Sequence, residues 1–163
     1  METRKYDEGE TSIMRKIWIG VDVGLNGAFA AIGATDIPYV FRFKDATEDD
    51  IADAFKRFAP ESIGTTVEVI AMLENVHSSP QMGVSSSFKF GCGFGVLKGI
   101  LAAYKIKRDF VTPQKWQKEL GCLSGGDKNK TKSKAQQLFP QIKVVHGNAD
   151  ALLICEYARR TRP

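Results

Sequence analysis

Residues 16–27 read KIWIGVDVGLNG, an apolar run that passes directly into a turn. Its β-branched and aromatic residues favour a strand, and the Asn26-Gly27 pair favours a tight turn. Alternation along that strand places Asp22 on the side of Trp18, opposite the aliphatic side chains. Because a buried carboxylate without a partner is costly, an acid at this position indicates a bound cation or a compensating hydrogen bond.

The rest of the chain predicts further strands and helices around this first strand. The expected strands cover 16–23, 28–34, 38–44, 67–73 and 108–111. The expected helices cover about 47–60, 85–104, 113–120, 130–138 and 148–159. This order predicts an α/β fold in which a five-stranded mixed sheet is flanked by helices.

Length and composition indicate one globular unit. The chain has 163 residues, of which 43% are hydrophobic, and this suits a single domain over 14–163 after a flexible leader at 1–13. The apolar run 90–103 contains Lys98 and is too short to cross a membrane. The cysteines have neither disulfide nor zinc-ligand spacing, which favours a reducing, cytoplasmic compartment: Cys92, Cys122 and Cys155.

Charge is distributed unevenly along the chain. Residues 45–74 contain eight acidic residues and two basic ones, whereas residues 89–143 contain twelve basic residues and three acidic ones. A basic half of this kind is typical of a surface that faces a polyanion, although a merely solvated basic face is the alternative.

Two further acids occupy positions that suit a site. Glu74 ends the expected fourth strand, and ligands of α/β sheets gather at the carboxyl ends of strands. Asp150 falls in the first turn of the expected last helix, where an acid also favours the helix dipole without any other role. Neither acid indicates a site by itself. The prediction of a cation site therefore requires Glu74 and Asp150 to lie close to Asp22 in the folded protein.

Three segments in order carry a family resemblance. They are Ile19 to Gly24 (IGVDVG), Met72 to Val76 (MLENV) and Asn148 to Ile154 (NADALLI). Together they resemble the acidic motifs of the RuvC-like Holliday junction resolvases of the ribonuclease H superfamily, and the resemblance covers residues 16–160. It implies a ribonuclease H-like fold and a crossover junction endodeoxyribonuclease that hydrolyses phosphodiester bonds in branched DNA and leaves a 5′-phosphate.

The resemblance also implies a metal site. Asp22 would bridge two divalent ions, and Glu74 and Asp150 would each complete one of them. Hard carboxylate oxygens select Mg²⁺ or Mn²⁺, and two such ions activate water and stabilise the transition state of phosphodiester hydrolysis. The segment 132–135 (KSKA) is similar in place to a basic segment that approaches the scissile phosphate in the family, which makes Lys132 a candidate catalytic residue.

The chain departs from the family pattern at two positions. Relatives place His or Asp three residues before the last Asp, whereas this chain has Gly147 there and His146 one residue earlier. His146 is therefore a candidate catalytic residue that reaches the metal only if the chain bends suitably. Relatives also place an aromatic residue three positions after the Glu, where this chain has His77. Other side chains nearby could enter the junction instead: Met82, Phe88 and Phe90.

The expected partners are branched duplex DNA, above all four-way junctions, and a second copy of the chain. DNA contacts are expected from His77, Lys89, Lys98, Lys105, Lys107, Arg108, Lys115, Lys128, Lys130 and Lys134. Family members act as dimers, and a stripe of glycines at 91, 95 and 99 is a possible dimer face. Tight packing of that stripe on the sheet is the alternative.

Two other functions remain open on the sequence alone. One is a non-catalytic branched-DNA-binding protein of the same fold, suggested by the irregular fourth position. The other is an actin-like nucleotide-binding lobe, because the turn at 22–27 also resembles a phosphate-binding hairpin, although such proteins need two lobes and this length supplies one. The composition and the divergent motif fit a bacterial or bacteriophage protein that acts in the cytoplasm.

Overall fold

The computed structural model describes residues 15–64, 66–77 and 81–163, and the expected leader lies outside them. The strands in these ranges are β1 (Arg15–Asp22), β2 (Ala28–Ile32), β3 (Tyr39–Arg42), β4 (Val67–Glu74) and β5 (Lys107–Val111). The helices are α1 (Glu48–Lys56), α2 (Pro60–Ile63), α3 (Val84–Ala103), α4 (Pro113–Glu119), α5 (Lys128–Leu138) and α6 (His146–Thr161). None of these helices combines the length and apolar character that crossing a membrane requires.

The described strands form one mixed sheet in the order β3-β2-β1-β4-β5. β2 runs antiparallel to β1 and β3, whereas β1, β4 and β5 run parallel to one another. The expected five-stranded mixed sheet is therefore confirmed. Because β1 and β4 are parallel neighbours, their last residues, Asp22 and Glu74, arrive at the same edge of the sheet.

Helices cover both faces of the sheet, and each face has its own hydrophobic core. On one face α1 and α3 pack over residues such as Ile19 and Phe29, and the Phe29 and Phe55 rings stack 4.1 Å apart. On the other face α4, α5 and α6 pack around Trp116 and Leu152. Trp18 belongs to this second face, and by strand alternation so does Asp22, as the sequence predicts.

Helix α6 touches β1 backbone to backbone. A Cβ atom added at Gly20 would lie 2.1 Å from the Cys155 nitrogen and 2.4 Å from the Ala151 carbonyl oxygen. No side chain fits there, so glycine is required by close approach. This contact places the helix that carries Asp150 directly over the strand that carries Asp22.

Helix α6 begins earlier than the sequence predicts, at His146 instead of Asn148. The Asn148 side chain accepts a hydrogen bond from the Val145 backbone N–H at 2.8 Å, so Asn148 lies inside the first turn. Val145 is the N-cap, and the helix begins at the next residue. Asp150 therefore falls in the second turn, and the first-turn prediction is wrong. The helix dipole therefore does not explain an acid at position 150, because the effect of the dipole fades after the first turn.

The glycine stripe on α3 makes no close contact within the described chain. A Cβ atom added at Gly91, Gly95 or Gly99 would meet nothing within 4 Å. The alternative of tight packing on the sheet is therefore wrong for the residues described. The stripe leaves one side of α3 flat and open.

Replacing Gly20 with alanine tests the contact between α6 and β1. We expect Gly20→Ala to lower the free energy of unfolding by about 3 kcal/mol or more, because backbone atoms of α6 must move away from the new methyl group. Urea titration followed by circular dichroism measures the change. Gly93→Ala is the matched control, since its methyl group meets nothing within 4 Å and we expect it to be neutral or stabilising. Equal stability of both variants would contradict the close contact.

Candidate metal centre

Three carboxylates converge at one edge of the sheet. Asp22 ends β1, Glu74 ends β4, and Asp150 lies in the second turn of α6 above them. Their charges act on one another: the charge of Asp150 raises the pKa of Asp22, and the charges of both aspartates raise the pKa of Glu74. The structure therefore brings together the three acids that the sequence singles out.

Burial and mutual repulsion both shift the pKa values of these acids. Burial, reinforced by the Asp150 charge, raises the pKa of Asp22 from 3.8 to about 6. Burial, reinforced by the Asp22 charge, raises the pKa of Glu74 from 4.5 to about 7. Burial also raises the pKa of Asp150. All three ionised forms are disfavoured in the protein alone, which is the electrostatic condition that a bound cation relieves.

Few hydrogen bonds compensate these carboxylates. Asp22 Oδ1 accepts one from the Gly24 backbone N–H at 3.3 Å, and Glu74 Oε1 accepts one from Trp116 Nε1 at 2.9 Å. Asp150 Oδ1 is buried and has no hydrogen-bond partner among the residues described. Buried oxygens are nearly always satisfied in native proteins, so this one requires an explanation.

Glu156 is a buried acid of the same chain that does have charged partners. This residue is 3% exposed and pairs with Arg159 at 2.8 Å and with Arg160 at 2.7 Å. By contrast, across 15–64, 66–77 and 81–163 no lysine, arginine or histidine nitrogen lies within 4 Å of a carboxylate oxygen of Asp22, Glu74 or Asp150. The chain pairs a buried acid where its role is structural and leaves these three unpaired.

The donor set fits a divalent cation, although the side chains do not form a finished cage. In the parts of the chain described, no three Asp, Glu, His or Cys side chains are grouped tightly enough to hold an ion as they stand. The unpartnered Asp150 oxygen and the raised pKa values of Asp22 and Glu74 nevertheless mark an excess of negative charge. Hard oxygen donors of this kind suit Mg²⁺ or Mn²⁺.

Lys128 is the lysine whose charge reaches the carboxylates. It is the first residue of α5, and its charge lowers the pKa of Asp22, Glu74 and Asp150 alike. Lys132, the lysine that the sequence favours for catalysis, lies one turn further along α5 and is half-buried. In the described chain, Lys128 rather than Lys132 is therefore the lysine whose charge acts on the three acids.

His146 also faces the acidic site. It is the exposed first residue of α6, four positions before Asp150, and residues four apart share a helix face. Its charge lowers the pKa of Asp150. A cavity of about 410 Å³ opens here, and its wall includes Asp22, Met82, Phe90, Lys128, His146 and Gly147.

The other expected DNA-binding residues are dispersed over the surface. Lys130 and Lys134 line a groove of about 610 Å³ between α5 and the loop that precedes it. Lys115 is exposed on α4, His77 is exposed three residues after Glu74, and Lys89 is exposed on α3.

Four expected DNA contacts lie elsewhere. Lys107 pairs with Glu68 at 2.7 Å, and Lys105 and Arg108 flank it. By strand register Lys107 lies opposite Ile70 and Arg108 opposite Ala71, so at about 3.3 Å per residue they lie about 13 Å and about 10 Å along the strand from Glu74. Lys98 packs its ammonium 4.7 Å from the centre of the Phe94 ring. The structure does not bring these residues to the carboxylates.

Sequence reasoning missed three neighbours of the site. Trp116 is fully buried as expected, but its hydrogen bond to Glu74 leaves no trace in the sequence pattern. Thr131 is a buried polar residue whose hydroxyl lowers the pKa of Asp150. Arg42 lies on an edge strand outside the basic half of the chain, and its position depends on strand register.

Comparisons with known proteins bear on the fold. The sequence matches no protein-family model, and it matches no curated protein. Among solved structures, T. thermophilus RuvC in complex with Holliday junction substrate is 13% identical with a TM-score of 0.55, and the match covers 90% of this chain and 96% of that one. A second Thermus thermophilus RuvC structure is also 13% identical, with a TM-score of 0.56 and coverage of 89% and 96%. The fold of this chain is therefore RuvC-like, and the expected ribonuclease H-like α/β fold is confirmed.

The raised pKa of Glu74 predicts that the metal-free protein becomes more stable as the pH falls. Between about pH 7 and pH 4.5, folded Glu74 binds more protons than unfolded Glu74, so the free energy of unfolding rises as the pH is lowered through this window. We expect a contribution of about 3 kcal/mol. Urea titrations in EDTA at several pH values measure it.

Glu74→Gln should remove the part of this gain that Glu74 contributes, most clearly between about pH 7 and pH 6, while keeping an oxygen that accepts the Trp116 hydrogen bond. The gain at lower pH that comes from Asp22, whose pKa is raised to about 6, should remain. Glu68→Gln, in the same strand, is the control. The hydrogen bond from Lys107 lowers the pKa of Glu68, so this substitution should leave the gain in place. A gain that survives Glu74→Gln unchanged would show that Glu74 is not the titrating group.

Proposed function

We propose that this protein is a metal-dependent, structure-selective endonuclease that hydrolyses phosphodiester bonds in branched DNA, with four-way junctions as its substrate. The observation that carries the proposal is the group of three unpaired carboxylates at the carboxyl edge of a RuvC-like sheet. The matched RuvC structure in complex with Holliday junction substrate supports the choice of DNA.

Asp22, Glu74 and Asp150 would hold Mg²⁺ or Mn²⁺, in two-ion form as the resemblance implies. Such ions, when bound, activate water and stabilise negative charge on the phosphate. Trp116 holds Glu74 in orientation through its indole N–H. Glycine at 20 keeps α6 close enough for Asp150 to share the site with Asp22.

Two further groups complete the proposed chemistry. Lys128 presents a positive charge next to all three acids, which suits contact with the scissile phosphate. His146 lines the cavity that contains Asp22 and lies one helical turn before Asp150, where its ring nitrogens could contact a proton donor, a proton acceptor or a cation. We assign His146 to proton transfer or to an additional metal contact.

Charge separates the two faces of the molecule. The α1 helix, with Glu48, Asp49, Asp50 and Asp53, lies on the face away from the carboxylates, whereas α5 presents its lysines on the same side as the site. A duplex would therefore lie along α5, where Lys128, Lys130 and Lys134 meet phosphates. Added salt should weaken such binding steeply.

Apolar side chains next to the carboxylates suit an opened junction. Met82 and Phe90 line the cavity that contains Asp22, and Phe88 is 72% exposed on the same helix as Phe90. Exposed aromatic surface is available to stack on unpaired bases. His77, which occupies the family's aromatic position, is exposed as well.

A non-catalytic branched-DNA-binding protein is the second candidate. The absence of a finished three-ligand cage in the described chain and the glycine at position 147 favour it. Retention of all three acids, one of them with an unsatisfied buried oxygen, favours catalysis. No contact among the residues that the structure describes adds support to the actin-like alternative.

Loss of one carboxylate tests catalysis directly. We expect Asp22→Asn to reduce Mg²⁺- or Mn²⁺-dependent nicking of a four-way junction by at least about 100-fold, because the candidate metal loses a central ligand. Binding to the junction in EDTA should be preserved. Asp53→Asn, an exposed acid on α1, is the control and should cut normally. Tight binding without metal-dependent nicking by the wild type would establish the non-catalytic alternative.

The two candidate lysines can be compared by neutral substitution. Because the charge of Lys128 reaches all three carboxylates, we expect Lys128→Gln to slow cleavage more than Lys132→Gln, by about tenfold or more. Single-turnover cleavage at saturating protein separates this effect from weaker binding. A larger loss at Lys132 would restore the assignment made from the family resemblance.

The proposed homodimer rests on the open side of α3. Because Gly91, Gly95 and Gly99 contact nothing in the described chain, a second α3 could approach closely along them. We expect a dimer at micromolar concentration in sedimentation experiments, and Gly95→Leu should shift it to monomer. Gly93→Leu, on the opposite side of α3, should leave the dimer intact. A wild-type monomer even in the presence of junction DNA would refute the dimer.

A further inference from the structure

Strand register places an arginine in line with the candidate metal centre. Asp22 of β1 pairs with Ala28 of β2, and Ala28 pairs with Arg42 of β3. Side chains of paired residues point to the same face of a sheet, so Arg42 projects on the side of Asp22. Two strand spacings, about 10 Å, separate their backbones.

The Arg42 side chain lies against the start of α6. A Cβ atom added at Gly147 would be 2.9 Å from Arg42 Nη2 and 3.1 Å from Arg42 Nε. The guanidinium therefore occupies the space that a side chain at position 147 would need. Gly147 also lines the cavity that contains Asp22 and His146, so Arg42 reaches the rim of the proposed active site.

Arg42 has no acidic partner within 15–64, 66–77 and 81–163. In these ranges no carboxylate oxygen lies within 4 Å of its guanidinium nitrogens. The guanidinium also rests at the amino end of α6, where the helix dipole disfavours a positive charge. An arginine held in such a place has its fork of N–H donors free for an external anion.

We propose that Arg42 binds a non-bridging oxygen of a DNA phosphate adjacent to the scissile phosphate. This inference rests on the function proposed above and names a contact that the sequence did not predict. Arg42 and Lys128 approach the cavity from different elements, β3 and α5, so the two cations would hold the backbone on both sides of the carboxylates. The guanidinium matches the geometry of a phosphate group, with two parallel hydrogen bonds.

Glycine at position 147 has a reason in this arrangement. The family resemblance leads one to expect an acid or a histidine there, and the Arg42 guanidinium fills the corresponding space. The absence of a side chain at position 147 therefore leaves room for the Arg42 guanidinium. A carboxylate at 147 would pair with Arg42 and withdraw it from the DNA.

The test compares Arg42, which ends β3, with Arg57, which lies over the ring of another β3 residue. Arg57 is exposed like Arg42, but it lies on the opposite face, with its guanidinium 5.0 Å from the centre of the Tyr39 ring. Arg42→Gln and Arg57→Gln remove the same charge. Binding of a fluorescent four-way junction is measured by anisotropy in EDTA and in Ca²⁺ at several salt concentrations, and Mg²⁺-dependent cleavage is measured in parallel.

We expect Arg42→Gln to weaken junction binding about tenfold and to reduce the dependence of log affinity on log salt by about 0.9, the value for one phosphate contact. Arg42→Lys should restore the salt dependence and only part of the affinity, because it keeps the charge without the fork. Arg57→Gln should resemble the wild type. Thermal unfolding of each variant confirms that the fold is intact.

Two negative outcomes have separate meanings. If the wild type binds and cuts the junction and Arg42→Gln differs from Arg57→Gln by less than twofold in affinity and rate, Arg42 makes no phosphate contact and the inference fails alone. If the wild type neither binds nor cuts the junction, the proposed function fails and takes this inference with it.

Discussion

The direct contact of α6 with the central strand is the constraint on which the site depends. With only a hydrogen atom at Gly20, the backbone of the helix approaches β1 closely enough that the charge of Asp150 raises the pKa of Asp22. The parallel pairing of β1 with β4 then adds Glu74 at the same edge. A helix held one side chain further away would separate Asp150 from Asp22 and Glu74, so steric complementarity in the core contributes to the electrostatics of the site.

Other acids of the chain, unlike those of the site, have basic partners close by. Glu156 is almost fully buried, yet two arginines neutralise it, and Glu68 at the far end of β4 has Lys107. Among the described residues, the acids at the carboxyl edge receive the more distant charge of Lys128, and Asp150 also receives that of His146. The protein therefore holds a region of unfavourable repulsion inside an otherwise well-paired structure, which is the arrangement expected where function outweighs stability.

Much of the fold could be predicted because its signals are local. Alternation around Asp22, the Asn26-Gly27 turn and the apolar run before Glu74 specify strands and their buried faces. The start of α6 was misplaced because asparagine is a common N-cap residue, whereas the Asn148 side chain lies inside the first turn and accepts a hydrogen bond from the Val145 backbone N–H three residues earlier. Arg42, Trp116 and Thr131 could not be linked to the site, since their proximity arises from strand register and helix packing between residues far apart in sequence.

The hydrogen bond between Trp116 and Glu74 has a practical consequence for solution work. Of the two tryptophans, Trp18 donates its indole N–H to the Arg162 carbonyl near the end of the chain, whereas Trp116 donates to a carboxylate of the site. Indole emission responds to the charge next to the ring, so the fluorescence of Trp116 should report the charge state of Glu74. A Trp18→Phe background would isolate its fluorescence, and the occupancy of the carboxylates could then be followed without any label.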